Sequence, residues 1–148
     1  MRRTRVIIVL AFAAFLFLGA TGLLARALTG AGTERSKVLD LIEAQAAGDA
    51  AGALAALPAC RAQPACADVV RSRVRELERP GAVEILNYTP SVQVALTRRT
   101  GLGRVAWRAG NSLPVVQCVR VRRDGPLTGA DVELLSISDP IGNDDGCA

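Results

Sequence analysis

The chain has 148 residues, of which half are hydrophobic, and its net charge is +4. Three of those positive charges lie at Arg2, Arg3 and Arg5, so the remainder is nearly neutral, which argues against a nucleic-acid-binding domain and a nucleic-acid partner. The sequence contains no histidine, which excludes Ser-His-Asp and Cys-His catalysis as usually built and removes the commonest zinc ligand. We therefore predict no catalytic, metal-binding or cofactor-binding residue.

The stretch from Val6 to Leu24 contains no charged residue. As a helix it would span about 28 Å, close to the roughly 30 Å hydrocarbon core of a bilayer. We therefore predict a transmembrane helix over residues 6–25 of a single-pass cell-membrane protein, with the basic N-terminus in the cytoplasm. The alternative is a cleaved secretory signal peptide ending near Ala25-Arg26-Ala27. Both interpretations place the rest of the chain outside the cytoplasm.

The predicted order of segments along the chain is a cytoplasmic tail (1–5), the membrane helix (6–25), a linker (26–33), an extracytoplasmic domain (34–141) and a C-terminal tail (142–148). The domain begins with helical patterns. Thr33 is a suitable N-cap for a first amphipathic helix that ends at Gly48. Asp49 can cap a second, short helix that Pro58 stops, and a third helix runs from about residue 65 to 79.

The apolar period changes to two after Gly81, which predicts strands. Five segments fit this pattern: 83–87, 92–97, 104–108, 115–123 and 131–138. A Gly-bearing hairpin turn is predicted at Thr100–Gly103, before the third of them. Strands at regular spacing with turns between them predict a curved antiparallel sheet, and three helices packed on one face give an α+β domain.

All four cysteines follow the apolar stretch, and an even number on the oxidising side of a membrane indicates two disulfides. Three pairings are possible, and we favour Cys60–Cys66 and Cys118–Cys147. The first pair is close in sequence and lies in one helix connection, whereas the second ties a late strand to the C-terminus. The spacing of these cysteines does not fit a zinc site.

Four arginines, at positions with the same strand parity, are expected on one face of the sheet: Arg104, Arg108, Arg120 and Arg122. They form a candidate site for an anionic partner. The alternative is a solvated sheet face on which they pair across strands with Glu84 or Glu133. Because Cys118 shares this parity, the C-terminal tail is expected to cover part of the face.

The small-residue corner EAQAAGDAAGALAAL (43–57), followed by the predicted sheet, resembles the NTF2-like and cystatin-like superfamily. The resemblance covers residues 34–141 and extends to small anchored proteins of high-GC Gram-positive bacteria. It implies a binding or scaffolding ectodomain, and no site residue is carried over from it.

We expect a non-enzymatic binding or assembly module of the cell envelope, with the lipid bilayer and an envelope protein as partners. One alternative is an NTF2-like enzyme that uses a carboxylate such as Asp40 or Glu43. The other is a secreted inhibitor-like or carrier-like protein released by signal cleavage.

Overall fold

A computed structural model describes residues 2–91, 99–124, 131–142 and 145–147. Within these ranges the chain forms helices α1 (Arg2–Ala46), α2 (Ala50–Ala56), α3 (Pro58–Arg61) and α4 (Pro64–Leu77), followed by strands β1 (Val83–Thr89), β2 (Arg99–Ala109), β3 (Val115–Asp124) and β4 (Asp131–Ile137). The strands form one antiparallel sheet whose spatial order is the chain order, β1-β2-β3-β4. The fold class is α+β, as predicted.

The N-terminal part of α1 corrects one main prediction. In the part of the chain that the structure describes, no helix is both long and apolar enough to cross a membrane, so the predicted transmembrane helix over 6–25 is wrong. The large apolar side chains here are exposed to solvent: Leu10, Phe12, Phe15, Leu16, Phe17 and Leu18.

Helix α1 continues through residues 26–33, which the sequence analysis predicted as a linker. Thr33, the predicted N-cap, therefore lies inside a helix. No proline interrupts the sequence of α1, and an isolated glycine within a helix costs only about 1 kcal/mol relative to alanine, so no residue there forces the helix to stop. The helix ends before Gly48, whose φ of 73° is readily adopted by glycine.

Three helices follow in the region where two were predicted, and the first two of them are short. The carboxylate of Asp49 caps α2 by accepting a hydrogen bond from the Gly52 amide at 2.9 Å, as predicted. Pro58 ends the pattern of α2 but also begins α3, because proline is well suited to the first turn of a helix. The disulfide between Cys60 and Cys66 joins α3 to α4, with the two Cα atoms 5.2 Å apart.

Four of the five predicted strands correspond to β1–β4, and the segment 92–97 lies outside the described residues. The hairpin turn predicted at Thr100–Gly103 is wrong, because these residues belong to β2 and pair with β3. Glycine is compatible with an extended backbone. The carboxylate of Glu34 approaches Gly103 closely, which explains why a residue without a side chain occupies this position of the strand.

The core lies between α1, α4 and the inner face of the sheet, the face toward the helices. It consists mainly of aliphatic side chains around one tryptophan, and its fully buried members include Val38, Leu41, Ile42, Leu57, Val74, Val105, Trp107, Val119 and Val121. Alternate residues of β3 contribute to this face, and the residues between them point to the outer face. The helices therefore cover one side of the sheet, and the other side is available for the candidate site.

Candidate functional site

The outer sheet face, defined as the side of the sheet away from the helices, carries all four predicted arginines. Arg104 of β2 pairs in register with Cys118 of β3, and Arg120 and Arg122 follow at the next two positions of the same parity. Arg108 lies on the same side of β2, opposite Glu84 of β1. The structure therefore brings these four residues onto one surface.

Two of these arginines form cross-strand ion pairs. Arg108 donates to Glu84 from Nε at 2.9 Å and from Nη2 at 2.7 Å. Arg122 pairs with Glu133 on β4, and its Nε lies 3.3 Å from Asp124. Arg120 is exposed, and among the described residues no carboxylate lies within ion-pair distance of it. Of the four arginines, Arg120 on β3 is therefore the one whose positive charge is exposed without a nearby carboxylate among the described residues.

The disulfide between Cys118 and Cys147 fixes the C-terminal residues on the same face, with the two Cα atoms 5.7 Å apart. Both predicted disulfides are thus confirmed, and all four cysteines are paired. Arg104 donates from Nε to the backbone carbonyl of Asp145 at 3.2 Å. The prediction that C-terminal residues cover part of this face is confirmed by these two contacts.

A second polar cluster lies on the inner face, where α1 packs against one end of the sheet. The carboxylate of Glu34 has no solvent exposure and forms an ion pair with Arg123, which is 5% exposed. Oε1 accepts hydrogen bonds from the hydroxyl of Tyr88 and from the amide of Ser91 at 2.9 Å. Oε2 accepts from the Ser91 hydroxyl at 2.9 Å and from Nε and Nη2 of Arg123. Every hydrogen-bond direction around this carboxylate is occupied by a donor.

The donors around Glu34 determine its protonation state. Burial raises the pKa of this carboxyl, but hydrogen bonds from Tyr88, Ser91 and Arg123 together outweigh burial, and the net pKa lies below the ordinary 4.5. Gly103 of β2 leaves room for the carboxylate, because a Cβ atom there would lie 3.3 Å from Oε1 of Glu34 and 3.2 Å from the carbonyl oxygen of Thr89. Glu34 is therefore a charged structural joint between α1 and the sheet.

Tyr88 provides a direct test of this joint, since it is the only tyrosine in the chain. Burial and the hydrogen bond to Glu34 raise the pKa of its hydroxyl far above the ordinary 10. We expect the near-ultraviolet absorbance of phenolate to stay absent at pH 10 in the folded protein and to appear near pH 10 in denaturant. Because the pKa is raised in the folded state, the associated stability is complete below pH 10 and is lost as the pH rises through the folded-state pKa. Half-titration of the folded protein at pH 10 would contradict the contact with Glu34.

A third polar group lies inside the core. The side-chain oxygen of Gln117 accepts hydrogen bonds from the indole N–H of Trp107 at 2.9 Å and from Nε2 of Gln45 at 3.0 Å. Its own Nε2 donates to the carbonyl of Ser138 at 2.9 Å. This amide network joins α1, β2, β3 and the end of β4.

The carboxylates that the enzyme alternative would use lie at the surface. Asp40 and Glu43 of α1 are both exposed. Asp40 borders a shallow cleft of about 220 Å³ together with Lys37 and Val132. Within this cleft, Nζ of Lys37 donates a hydrogen bond to the backbone carbonyl of Val132 at 2.5 Å. Glu43 borders a wider, open cleft of about 740 Å³ with Arg75 and Glu78.

The sequence predicted the four outer arginines but not the buried ion pair of Glu34 and Arg123. Glu34 directly follows Thr33, the predicted N-cap, and Arg123 ends the predicted strand 115–123, and neither position indicates a buried ion pair. No family model, no curated protein and no solved structure matches this chain. The resemblance to NTF2-like and cystatin-like proteins accordingly stays a prediction based on element order and the small-residue corner.

Proposed function

We propose that this protein is an extracytoplasmic binding or assembly module of the cell envelope, and that its docking surface is the outer sheet face. The extracytoplasmic location is supported by the pairing of all four cysteines in two disulfides. Such bonds persist in oxidising compartments and are rare where thiol reductants are abundant.

The docking surface is supported by the distribution of charge. Arg108 and Arg122 are held in place by neighbouring carboxylates, so their guanidinium groups are already oriented across the strands. Arg120 lies beside Arg122 and is exposed without an ion-pair partner in the described residues. An anionic group of a partner can therefore bind there without first breaking a pair.

The exposed apolar side chains of α1 support a second binding surface, for an apolar partner in the cell envelope. Phe12, Phe15 and Phe17 are between 64% and 76% exposed. Large apolar patches of this kind mark contact with another apolar surface. The proposal therefore includes an apolar envelope partner on residues 10–18, separate from the anionic partner on the sheet.

The enzyme alternative receives less support. A general base needs a free lone pair within reach of a substrate proton. The buried carboxylate of Glu34 offers none, because donors occupy both of its oxygens.

The proposed extracytoplasmic location is tested by determining which cysteines are free and which are paired in the protein taken from cells. Cells are quenched in acid, free thiols are alkylated, and non-reducing peptide mapping follows. We expect peptides crosslinked through Cys60–Cys66 and Cys118–Cys147 and no alkylated cysteine. Alkylation of all four cysteines would contradict the extracytoplasmic proposal, and a Cys60–Cys118 crosslink would contradict the pairing.

A further inference from the structure

The C-terminal segment, defined as residues 139–142 and 145–147, binds to the outer sheet face as a peptide would. It first continues the line of β4, where Ile141 donates its amide to the carbonyl of Val116 at 2.8 Å. It then turns, with the Gly142 amide donating to the Asp145 carboxylate at 2.8 Å. Finally it returns over β3 toward β2, where it is held by the disulfide to Cys118 and by the contact with Arg104.

The segment covers an apolar position of that face. Val116 is 3% exposed, yet it does not belong to the main core cluster, and its neighbours Val115 and Gln117 have the parity of the inner face. Its cross-strand neighbour, Ala106, is half-buried. Val116 is thus buried on the outer side, to which the side chain of its bridge partner Ile141 also points.

The chemistry of the segment matches that of the surface. The sequence from 138 to 148, SDPIGNDDGCA, contains three aspartates and no basic residue. It lies on a face that presents four arginines. Among the described residues of the segment, the Asp139 carboxylate accepts from Nε of Arg73 of α4 at 2.9 Å, and the Asp145 carboxylate accepts from the Gly142 amide. Neither carboxylate pairs with Arg120. A chain segment with backbone groups for the β3 edge and an apolar side chain beside Val116 fits this surface, and an acidic side chain of a partner would pair with Arg120.

We propose that the outer sheet face binds an extended acidic peptide segment of a partner protein, and that the chain's own C-terminal segment occupies this place as an intramolecular competitor held by the Cys118–Cys147 disulfide. This inference rests on the proposed docking surface. The tether gives the segment a high effective concentration at the face, so an external peptide competes poorly until the disulfide opens. The disulfide then determines when the surface is available.

The test uses the full chain and a labelled peptide with the sequence of residues 138–148 carrying C147S. Two proteins are compared, one with C118S and C147S and the other with C60S and C66S. Each lacks one disulfide, but only the first lacks the covalent link between the segment and β3. We expect the first to bind the peptide at least about ten-fold more tightly than the second or the unmodified chain. Equal binding by the two variants, or no binding by either, would overturn the proposal.

A second measurement avoids dependence on how well the first variant folds. In the protein with C60S and C66S, Cys118–Cys147 is the only remaining disulfide. Dithiothreitol opens it by exchange, so that the reductant becomes a cyclic disulfide and the two cysteines become thiols. We expect peptide binding to appear on reduction while the circular dichroism of the folded protein is retained. Retained fold without binding would overturn the proposal.

Selectivity for charge is measured with a second peptide carrying D144N and D145N, because Asp139 pairs with Arg73 of α4 rather than with the outer arginines. We expect it to bind at least about five-fold more weakly than the acidic peptide, and R120Q to remove most of that difference. Equal binding of the two peptides would overturn the acidic-partner assignment. Finding reduced cysteines in cells would defeat the proposed compartment, but it would leave these binding measurements unaffected.

Discussion

Replacement of Glu34 by glutamine is expected to lower the free energy of unfolding by about 3–5 kcal/mol at pH 7, the range for breaking a buried ion pair by removing one partner. Arg123 is 5% exposed and would keep its charge without a counter-ion. The new amide would also replace one carboxylate oxygen by an NH2 group, so that either the Ser91 amide or the Arg123 guanidinium would lose its acceptor. Urea denaturation followed through Trp107, the only tryptophan in the chain, measures the change.

The matched control is E43Q, the same substitution on the same helix at an exposed position. Surface substitutions of this kind usually change the unfolding free energy by less than about 0.5 kcal/mol. If E34Q and E43Q had equal effects, Glu34 would not be a structural joint. A variant carrying E34L and R123M should lose less than the sum of the two single changes, because it leaves no isolated charge.

The pH dependence provides a second readout for the same residue. The pKa of Glu34 is lowered in the folded state, so its contribution to stability is present above the ordinary value of 4.5 and is lost as the pH falls through the folded-state pKa. The difference in unfolding free energy between the unmodified chain and E34Q should therefore be constant from pH 5 to 8 and shrink below pH 4. A difference that grows on acidification would have the wrong sign for a lowered pKa.

Glu34 also shows why part of this fold escapes prediction from the sequence. An acidic residue directly after Thr33 is typical of a first helical turn, because both favour the positive end of the helix dipole. Its partner Arg123 is 89 residues away and follows a run of outward arginines. Local periodicity contains no information about a polar pair formed over such a separation. The joint becomes recognisable only once α1 and the end of β3 have been brought together.

The features that sequence did predict depend on short-range constraints. Strand parity places Arg104 and Arg120 on one face whatever the exact strand ends. Cys60 and Cys66 are six residues apart and flank a helix connection, so few alternatives compete. The start of α1 was mispredicted because propensity alone does not determine where a helix begins when no proline interrupts it. Side-chain alternation and close pairings are thus predictable, whereas element ends and buried polar contacts depend on tertiary structure.

Replacement of Gln117 by leucine is expected to lower the free energy of unfolding by about 2–4 kcal/mol. Leucine has a similar size, but it accepts no hydrogen bond, so the indole N–H of Trp107 and the amide of Gln45 lose their acceptor. Each buried donor left without a partner costs about 1–3 kcal/mol. The carbonyl of Ser138 also loses a donor, at the point where the C-terminal residues leave β4. The loss is read from urea denaturation by circular dichroism, since the environment of Trp107 itself changes.

The control is Q63L, the same replacement at an exposed glutamine whose side chain does not cap α4. It should change the unfolding free energy by less than about 0.5 kcal/mol. Adding Q45L and W107F to Q117L removes both donors together with their acceptor, and apolar replacement of both partners is nearly neutral in hydrogen bonding. The triple variant should therefore be less destabilised than the loss of three buried bonds would imply, apart from the cost of the smaller ring. Equal stability of Q117L and Q63L would mean that water, rather than Gln117, satisfies these donors, and the network would then not hold α1 to the sheet.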